Sequence, residues 1–162
     1  MKDTEKIIEK FYTSFQQKDF IKMQSCYDDK ITFSDPVFQD LKGDEAKAMW
    51  HMLTEAGKDL KIQFQNIQSD GATASCDWEA FYSFSKTGRK VHNFIHARFE
   101  FSEGKIIKHT DTFSLWRWSG MALGISGKLL GWTPLVQGKI RSTARKSLQQ
   151  FLKSHPAYKS QS

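Results

Sequence analysis

The period of the large apolar side chains changes at Lys61, and this change constrains the fold more than any other feature of the sequence. Before it, apolar residues recur every three or four positions. Ile7, Phe11 and Phe15 are spaced by four, with Ile8 and Tyr12 widening the stripe, which predicts a helix over 4–18. Phe20, Met23 and Tyr27 read as a second, short helix. Ala48, Met49, Met52 and Leu53 mark a third over 44–56, with Asp44 as its N-cap. Between them Ile31-Thr32-Phe33 is a brief strand halted at Asp35-Pro36, because proline lacks the amide that a ladder needs. After Lys61 the period is 2. Ile62 and Phe64 alternate with polar residues, and a long strand follows with Ala74, Cys76, Trp78, Ala80, Tyr82 and Phe84 on one face. The next two strands align Asn93, Ile95, Ala97, Phe99 and Phe101, then Ile107, His109, Asp111, Phe113 and Leu115. Asp70-Gly71, Thr87-Gly88 and Glu103-Gly104 turn the chain between them. Three helices followed by long antiparallel strands predict an α+β domain with helices covering one face of the sheet.

The remainder of the chain has a different character. Residues 119–133 are apolar and glycine-rich, and Pro134 opens a last helix striped by Val136, Ile140, Ala144, Leu148 and Phe151. Leu123, Ile125, Leu129, Leu130 and Trp132 are too apolar to be left in water, so they are expected to pack on the body near the pocket mouth, with a partner subunit or a membrane surface as the alternatives. After Asp111 there is no Asp or Glu, but there are eight Lys or Arg, and these account for the net charge of +6. A solvated basic helix face, a helix packed on the body and attachment to an anionic membrane surface all fit this composition. No nucleic-acid-reading motif accompanies the charge, which argues against that partner.

A length of 162 residues suits one domain. Thirteen Phe in a chain of this size predict either a dense core or a cavity walled by rings. The mean hydropathy is −0.56 and no apolar run approaches the roughly 20 residues of a membrane span. The polar start lacks a signal-peptide core, and the two cysteines form no redox or metal motif, so a cytoplasmic protein with reduced thiols is expected. There is no phosphate loop, nucleophile elbow or dinucleotide fingerprint, and no ligand spacing for a metal, so no cofactor is expected.

The order helix, helix, Tyr27-Asp28-Asp29, Phe33-Ser34-Asp35-Pro36-Val37, Gly43, helix, long strands, together with Gly104-Lys105-Ile106 leading into His109-Thr110-Asp111, resembles the nuclear transport factor 2-like superfamily over residues 4–117. The likeness is nearest to its SnoaL-like and ketosteroid-isomerase-like branch. It implies a cone-shaped fold, a curved and mostly antiparallel sheet wrapped around N-terminal helices and enclosing an apolar pocket. That cone would span residues 1–118, with residues 119–162 as an apolar segment and a basic amphipathic helix packed on it. The resemblance places Asp35 where ketosteroid isomerases keep their carboxylate base, and Asp111 where SnoaL-type cyclases keep an acid/base carboxylate. The isomerases' two oxyanion donors, a tyrosine and a protonated aspartate, fall on Phe11 and Ala97. Neither side chain donates a hydrogen bond, so isomerisation of a standard ketosteroid is not expected.

The expected site follows from these assignments. Asp111, Asp35 and His109 are the candidate catalytic residues. Phe11, Tyr12, Phe33, Trp50, Trp78, Tyr82, Phe84, Ala97, Phe99 and Phe113 are the candidate walls of the ligand pocket. A carboxylate on an apolar strand face needs a partner or a raised pKa. Asp111 is therefore expected either to form a satisfied pair with His109 or a helix side chain or to do acid/base chemistry, and Asp35 either to do acid/base chemistry or to hold its own turn. The expected function is a pocket protein for a small hydrophobic molecule, acting as an isomerase, cyclase or hydrolase. The alternatives are a non-catalytic carrier and a homodimeric interaction module with a membrane-binding basic tail.

Overall fold

The computed structural model describes residues 1–159. The element order is α1 (Asp3–Gln16), α2 (Phe20–Ser25), β1 (Tyr27–Ser34), β2 (Leu41–Lys42), α3 (Asp44–Ala56), β3 (Lys61–Ser69), β4 (Thr73–Ser83), β5 (Lys90–Ser102), β6 (Lys105–Thr112), α4 (Leu115–Leu123), α5 (Ile125–Leu130) and α6 (Pro134–Ser154). The strands form one curved, unclosed mixed sheet in the order β2-β1-β6-β5-β4-β3. Only the β1–β6 pair is parallel. The α+β architecture expected from the change of period is the one observed.

The curvature has local causes. Register shifts interrupt the β3–β4 ladder between Gln65 and Gln68, where Asn66 adopts φ 57°, and the β5–β6 ladder between Glu100 and Phe101. An extra residue in one strand bends it and raises its twist. The Glu103-Gly104 turn, with φ 49° and 73°, matches the twist of its flanking strands. The bent sheet wraps α1, whose Ile8, Phe11, Tyr12 and Phe15 are all buried in the main core.

Four details differ from the sequence reading. Tyr27 opens β1 rather than closing a helix. Gly43, at φ 56°, is the residue before α3, and Asp44 lies inside the helix, where its carboxylate accepts the Lys159 amide at 2.8 Å. In β6 the buried face carries Ile106, His109 and Asp111, and Ile107 is only partly buried, because the irregularity at Phe101 resets the alternation. The strand ends at Thr112, so Leu115 belongs to α4.

The C-terminal segment packs unevenly. Leu115, Trp118 and Ala122 of α4 join Val91 in a second apolar cluster, with Val37, Tyr82, Phe113, Leu123 and Ile140 against it. The Trp118 indole N–H donates to the Tyr82 hydroxyl at 2.7 Å. On α6, Leu148 reaches the main core, and Arg141 Nε donates to the Pro36 carbonyl at 2.8 Å. Leu123 packs on the body, but Ile125, Leu129, Leu130 and Trp132 do not, being 76, 66, 51 and 59% exposed, which corrects the expectation that they pack near the pocket mouth. Backbone contact is the reason. A Cβ on Gly127 would lie 1.9 Å from the Ser119 carbonyl oxygen, so α5 is clasped to α4 main chain to main chain. Its larger side chains are left to point away.

Candidate functional site

A single chain of buried hydrogen bonds runs across the interior of the cone and ends on Asp111. It starts on α3, where the Trp50 indole N–H donates to the Tyr27 hydroxyl at 2.8 Å. Tyr27, at the start of β1, is 2.7 Å from His109 Nδ1, and His109 Nε2 is 2.8 Å from Asp111 Oδ1. The directions follow from the ends. Trp50 can only donate and a carboxylate can only accept. When Tyr27 gives its one hydroxyl proton to Nδ1, Nε2 carries the ring proton and donates to Asp111 Oδ1. The Trp78 indole on β4 adds a long contact of 3.4 Å to the same Oδ1. Strand alternation on β6 makes this possible, since His109 and Asp111 are two residues apart and share the helix-covered face.

The surroundings of this chain are aromatic. The His109 ring is stacked with Trp50 and lies edge-on to Phe11 and Phe33 at 5.6 and 5.0 Å, with Phe99 at 4.4 Å. His109 is fully buried and Asp111 is 4% exposed. Burial, with Asp111 nearby, pushes the Tyr27 phenol well above its ordinary pKa.

Tyr12 is the exception in this interior. It is fully buried among Phe64, Trp78 and Phe99, yet its hydroxyl has no hydrogen-bond partner among the described residues. Burial, and then the charge of Asp111, push its pKa well above 10. An unmade buried hydrogen bond costs about 1–3 kcal/mol. The hydrogen bonds of Asp111 also fall on Oδ1 alone, which leaves Oδ2 without a partner among the described residues.

Asp35 sits where β1 runs into its loop. Its Oδ1 accepts the Val37 and Phe38 amides at 2.7 and 2.6 Å, an Asx-type turn. Burial raises its pKa to about 7 against those hydrogen bonds, with the Asp111 charge adding to the rise. The two carboxylates are thus close enough for one to feel the other.

The remaining expected wall residues divide between two places. Phe11, Phe33, Ala97 and Phe99 are fully packed in the main core, and Ala97 faces Asp111 across the β5–β6 ladder. Tyr82 and Phe113 touch both clusters, while Phe84 packs edge-on to Trp118 at 5.2 Å in the second. Tyr27 is not among the expected site residues. The tyrosine-acidic pair contains it, but a spacing of 20, 23, 27 is also a helical stripe.

One group of metal-type donors lies outside the cone. Donor atoms of His51, Glu55 and His155 come within 4.8 Å of one another where α6 ends against α3. His51 Nε2 is 2.8 Å from the Glu55 carboxylate, and its Nδ1 is 2.8 Å from the Tyr158 hydroxyl. These side chains satisfy each other and tie the end of α6 to the body.

A bent sheet wrapped on α1, with a buried imidazole and carboxylate on its inner face, defines a nuclear transport factor 2-like α+β cone. The SnoaL-like domain profile matches residues 8–109, and the chain belongs to that family. Comparison with curated proteins finds no match. Among solved structures the chain is similar to a LEH-like epoxide hydrolase of M. tuberculosis, with 16% identity, a TM-score of 0.60, and 79% of this chain and 96% of that one covered. It is also similar to a candidate polyketide cyclase of Xanthomonas campestris pv. campestris, with 15% identity, a TM-score of 0.62, and coverage of 74% and 96%. A third similar structure is TerC co-crystallised with polyporic acid, with 12% identity, a TM-score of 0.58, and coverage of 67% and 89%. At such identities the likeness establishes the fold, not the reaction.

Proposed function

We propose that this protein binds a small hydrophobic molecule bearing a carbonyl or similar oxygen, and moves a proton on it. In this reading the Tyr12 hydroxyl donates to the ligand oxygen. Asp111 takes a proton from the ligand through Oδ2, with Oδ1 held by His109. Asp35, pushed up to about 7 by burial, supplies or receives the compensating proton. The observation that carries the reading is the unpartnered Tyr12 hydroxyl, fully buried beside the charge of Asp111. A buried donor without an acceptor is costly, and a ligand oxygen would supply the acceptor. The one-way hydrogen-bond chain behind Asp111 supports it further, because it fixes the imidazole tautomer and the carboxylate rotamer. Similarity to proteins described as an epoxide hydrolase and a candidate cyclase gives the reading precedent within the fold.

A second reading has one observation of its own. Asp35 Oδ1 is occupied by two amides of its own loop, which suits a non-catalytic carrier. Turnover separates the two. Incubation with polycyclic ketones, quinones and epoxides, followed by mass spectrometry, is expected to find one class converted. Asp111→Asn is expected to reduce that rate about 100-fold or more, the usual contribution of a positioned base. Conversion by Asp111→Asn at the unaltered rate would refute the catalytic reading. Ligand-dependent stabilisation with no conversion would establish the carrier.

A further inference from the structure

Helix α5 and the residues on either side of it bring two unlike surfaces together. The first is apolar. Ile125, Leu129, Leu130, Trp132 and Leu135 are between 51 and 85% exposed, all within eleven residues of chain. Ile125 and Leu129 are one helical turn apart, and the Trp132 indole N–H donates to the Leu129 carbonyl at 3.0 Å, which keeps the group together. Isolated exposed apolar residues are ordinary, but a contiguous cluster marks an interaction surface.

The second surface is cationic. A groove of about 470 Å³ beside the hairpin is lined by Arg89, Lys90, Arg117 and Lys128, with Trp116 at its wall and no acidic residue among its lining. The Trp116 indole N–H donates to the Lys128 carbonyl at 2.9 Å, so the groove adjoins the start of the apolar run. No Asp or Glu follows Asp111 to offset this charge.

Neither surface is a loose end. Gly127 packs against the Ser119 carbonyl so closely that no other residue fits, which fixes α5 on α4. Thr87 Oγ1 donates to the Ala122 carbonyl at 2.6 Å, and Arg89 Nε donates to the Met121 carbonyl at 2.9 Å. The cluster is held outward by a rigid hairpin.

We propose that this hairpin docks the protein on an anionic lipid bilayer. The apolar tip enters the boundary between headgroups and acyl chains, and the groove takes lipid phosphates. Charge complementarity selects this occupant: the basic residues flank the apolar ones on the same hairpin, with an indole at the margin of each surface, the arrangement of an interfacial anchor. Among the described residues no helix is long and apolar enough to cross a membrane, so the attachment is to the surface. The position differs from the basic face of α6, where the sequence alone would put it.

Co-sedimentation of the full chain with vesicles of phosphatidylcholine and phosphatidylserine tests this, with pure phosphatidylcholine as the control. The expected affinity for the mixed vesicles is roughly tenfold or more above that for the control, falling as salt is raised. The double variant Leu129→Asp/Leu130→Asp is expected to lose binding to both. The double variant Arg117→Glu/Lys128→Glu is expected to lose only the preference for phosphatidylserine. All four side chains are exposed, so both variants should keep the melting temperature of the parent, which is measured alongside. Failure of the parent to bind mixed vesicles would overturn the proposal, as would unchanged binding by the Leu129→Asp/Leu130→Asp variant. So would a parent that is dimeric without lipid, does not sediment with vesicles, and becomes monomeric in that variant. The tip would then be a subunit contact.

Discussion

The inside of the cone and the α4–α5 hairpin reverse the usual placement of side chains. Inside, Trp50, Tyr27, His109 and Asp111 are buried polar groups, and each finds a partner in the next. On the hairpin, Leu129, Leu130 and Trp132 are apolar groups left in water without a cover. Both arrangements cost free energy when incomplete. The interior answers the cost with hydrogen bonds along this chain, and among the described residues leaves the Tyr12 hydroxyl and Asp111 Oδ2 without a partner. The hairpin does not answer it at all within the monomer. On the proposed readings, the interior is completed by one oxygen of a small hydrophobic molecule, and the hairpin by a broad apolar surface.

Removing a link from the completed interior gives the largest expected effect. Tyr27→Phe deletes the acceptor of the Trp50 indole and the donor to His109 at once, leaving two buried polar groups unsatisfied. The expected loss is about 2–4 kcal/mol in a denaturant titration. A loss below about 0.5 kcal/mol would mean that the chain of hydrogen bonds contributes nothing, and the contrast between the two regions would fail.

A smaller effect is expected at the edge of the interior. Asp35 has a folded pKa of about 7, above the ordinary 3.8. Between those values the folded protein holds a proton that the unfolded chain releases. The stabilising proton is present at low pH and is lost as pH rises through 7, so stability falls across that window. Asp35→Asn keeps the acceptor for the Val37 and Phe38 amides and removes the charge. With a discount for partial exposure, it should be about 1–2 kcal/mol more stable than the parent at about pH 8 and nearly equal to it at about pH 4. Parallel pH profiles of the two proteins would show that Asp35 is not held in a desolvated place.

Much of this was legible in the chain itself. The change of period at Lys61 announced an α+β domain, and alternation on β6 put His109 and Asp111 on one face with Trp78 nearby. The rest was hidden for physical reasons. Tyr27 follows Phe20 and Met23 at a spacing that a helix and a helix-to-strand junction share, so its place in the hydrogen-bond chain between Trp50 and His109 could not be read. The irregularity that buries Ile106 in place of Ile107 depends on pairing across strands, which no local pattern records. Tyr12 lies one residue after Phe11, which the resemblance sets at a donor position. The buried face of α1 is wide enough to hold Ile8, Phe11, Tyr12 and Phe15 together, so Phe11 and Tyr12 both face inward. Hydropathy did predict that α5 would be apolar, but not that a glycine contact of its backbone would turn those side chains outward.

The central claim is that the Tyr12 hydroxyl awaits a ligand oxygen, and the smallest structural change available tests it most directly. Tyr12→Phe removes one oxygen atom that has no partner among the described residues. Thermal unfolding of the parent and this variant, with and without a panel of apolar ketones, quinones and epoxides, measures both sides of the claim. Without ligand the variant should be as stable as the parent or up to about 1–3 kcal/mol more stable, because a lone buried donor has been removed. With ligand, the parent should gain stability, and the variant should bind roughly tenfold more weakly, the worth of about one hydrogen bond. A variant that is less stable on its own by more than about 1 kcal/mol, or one that binds every ligand as the parent does, would contradict the account.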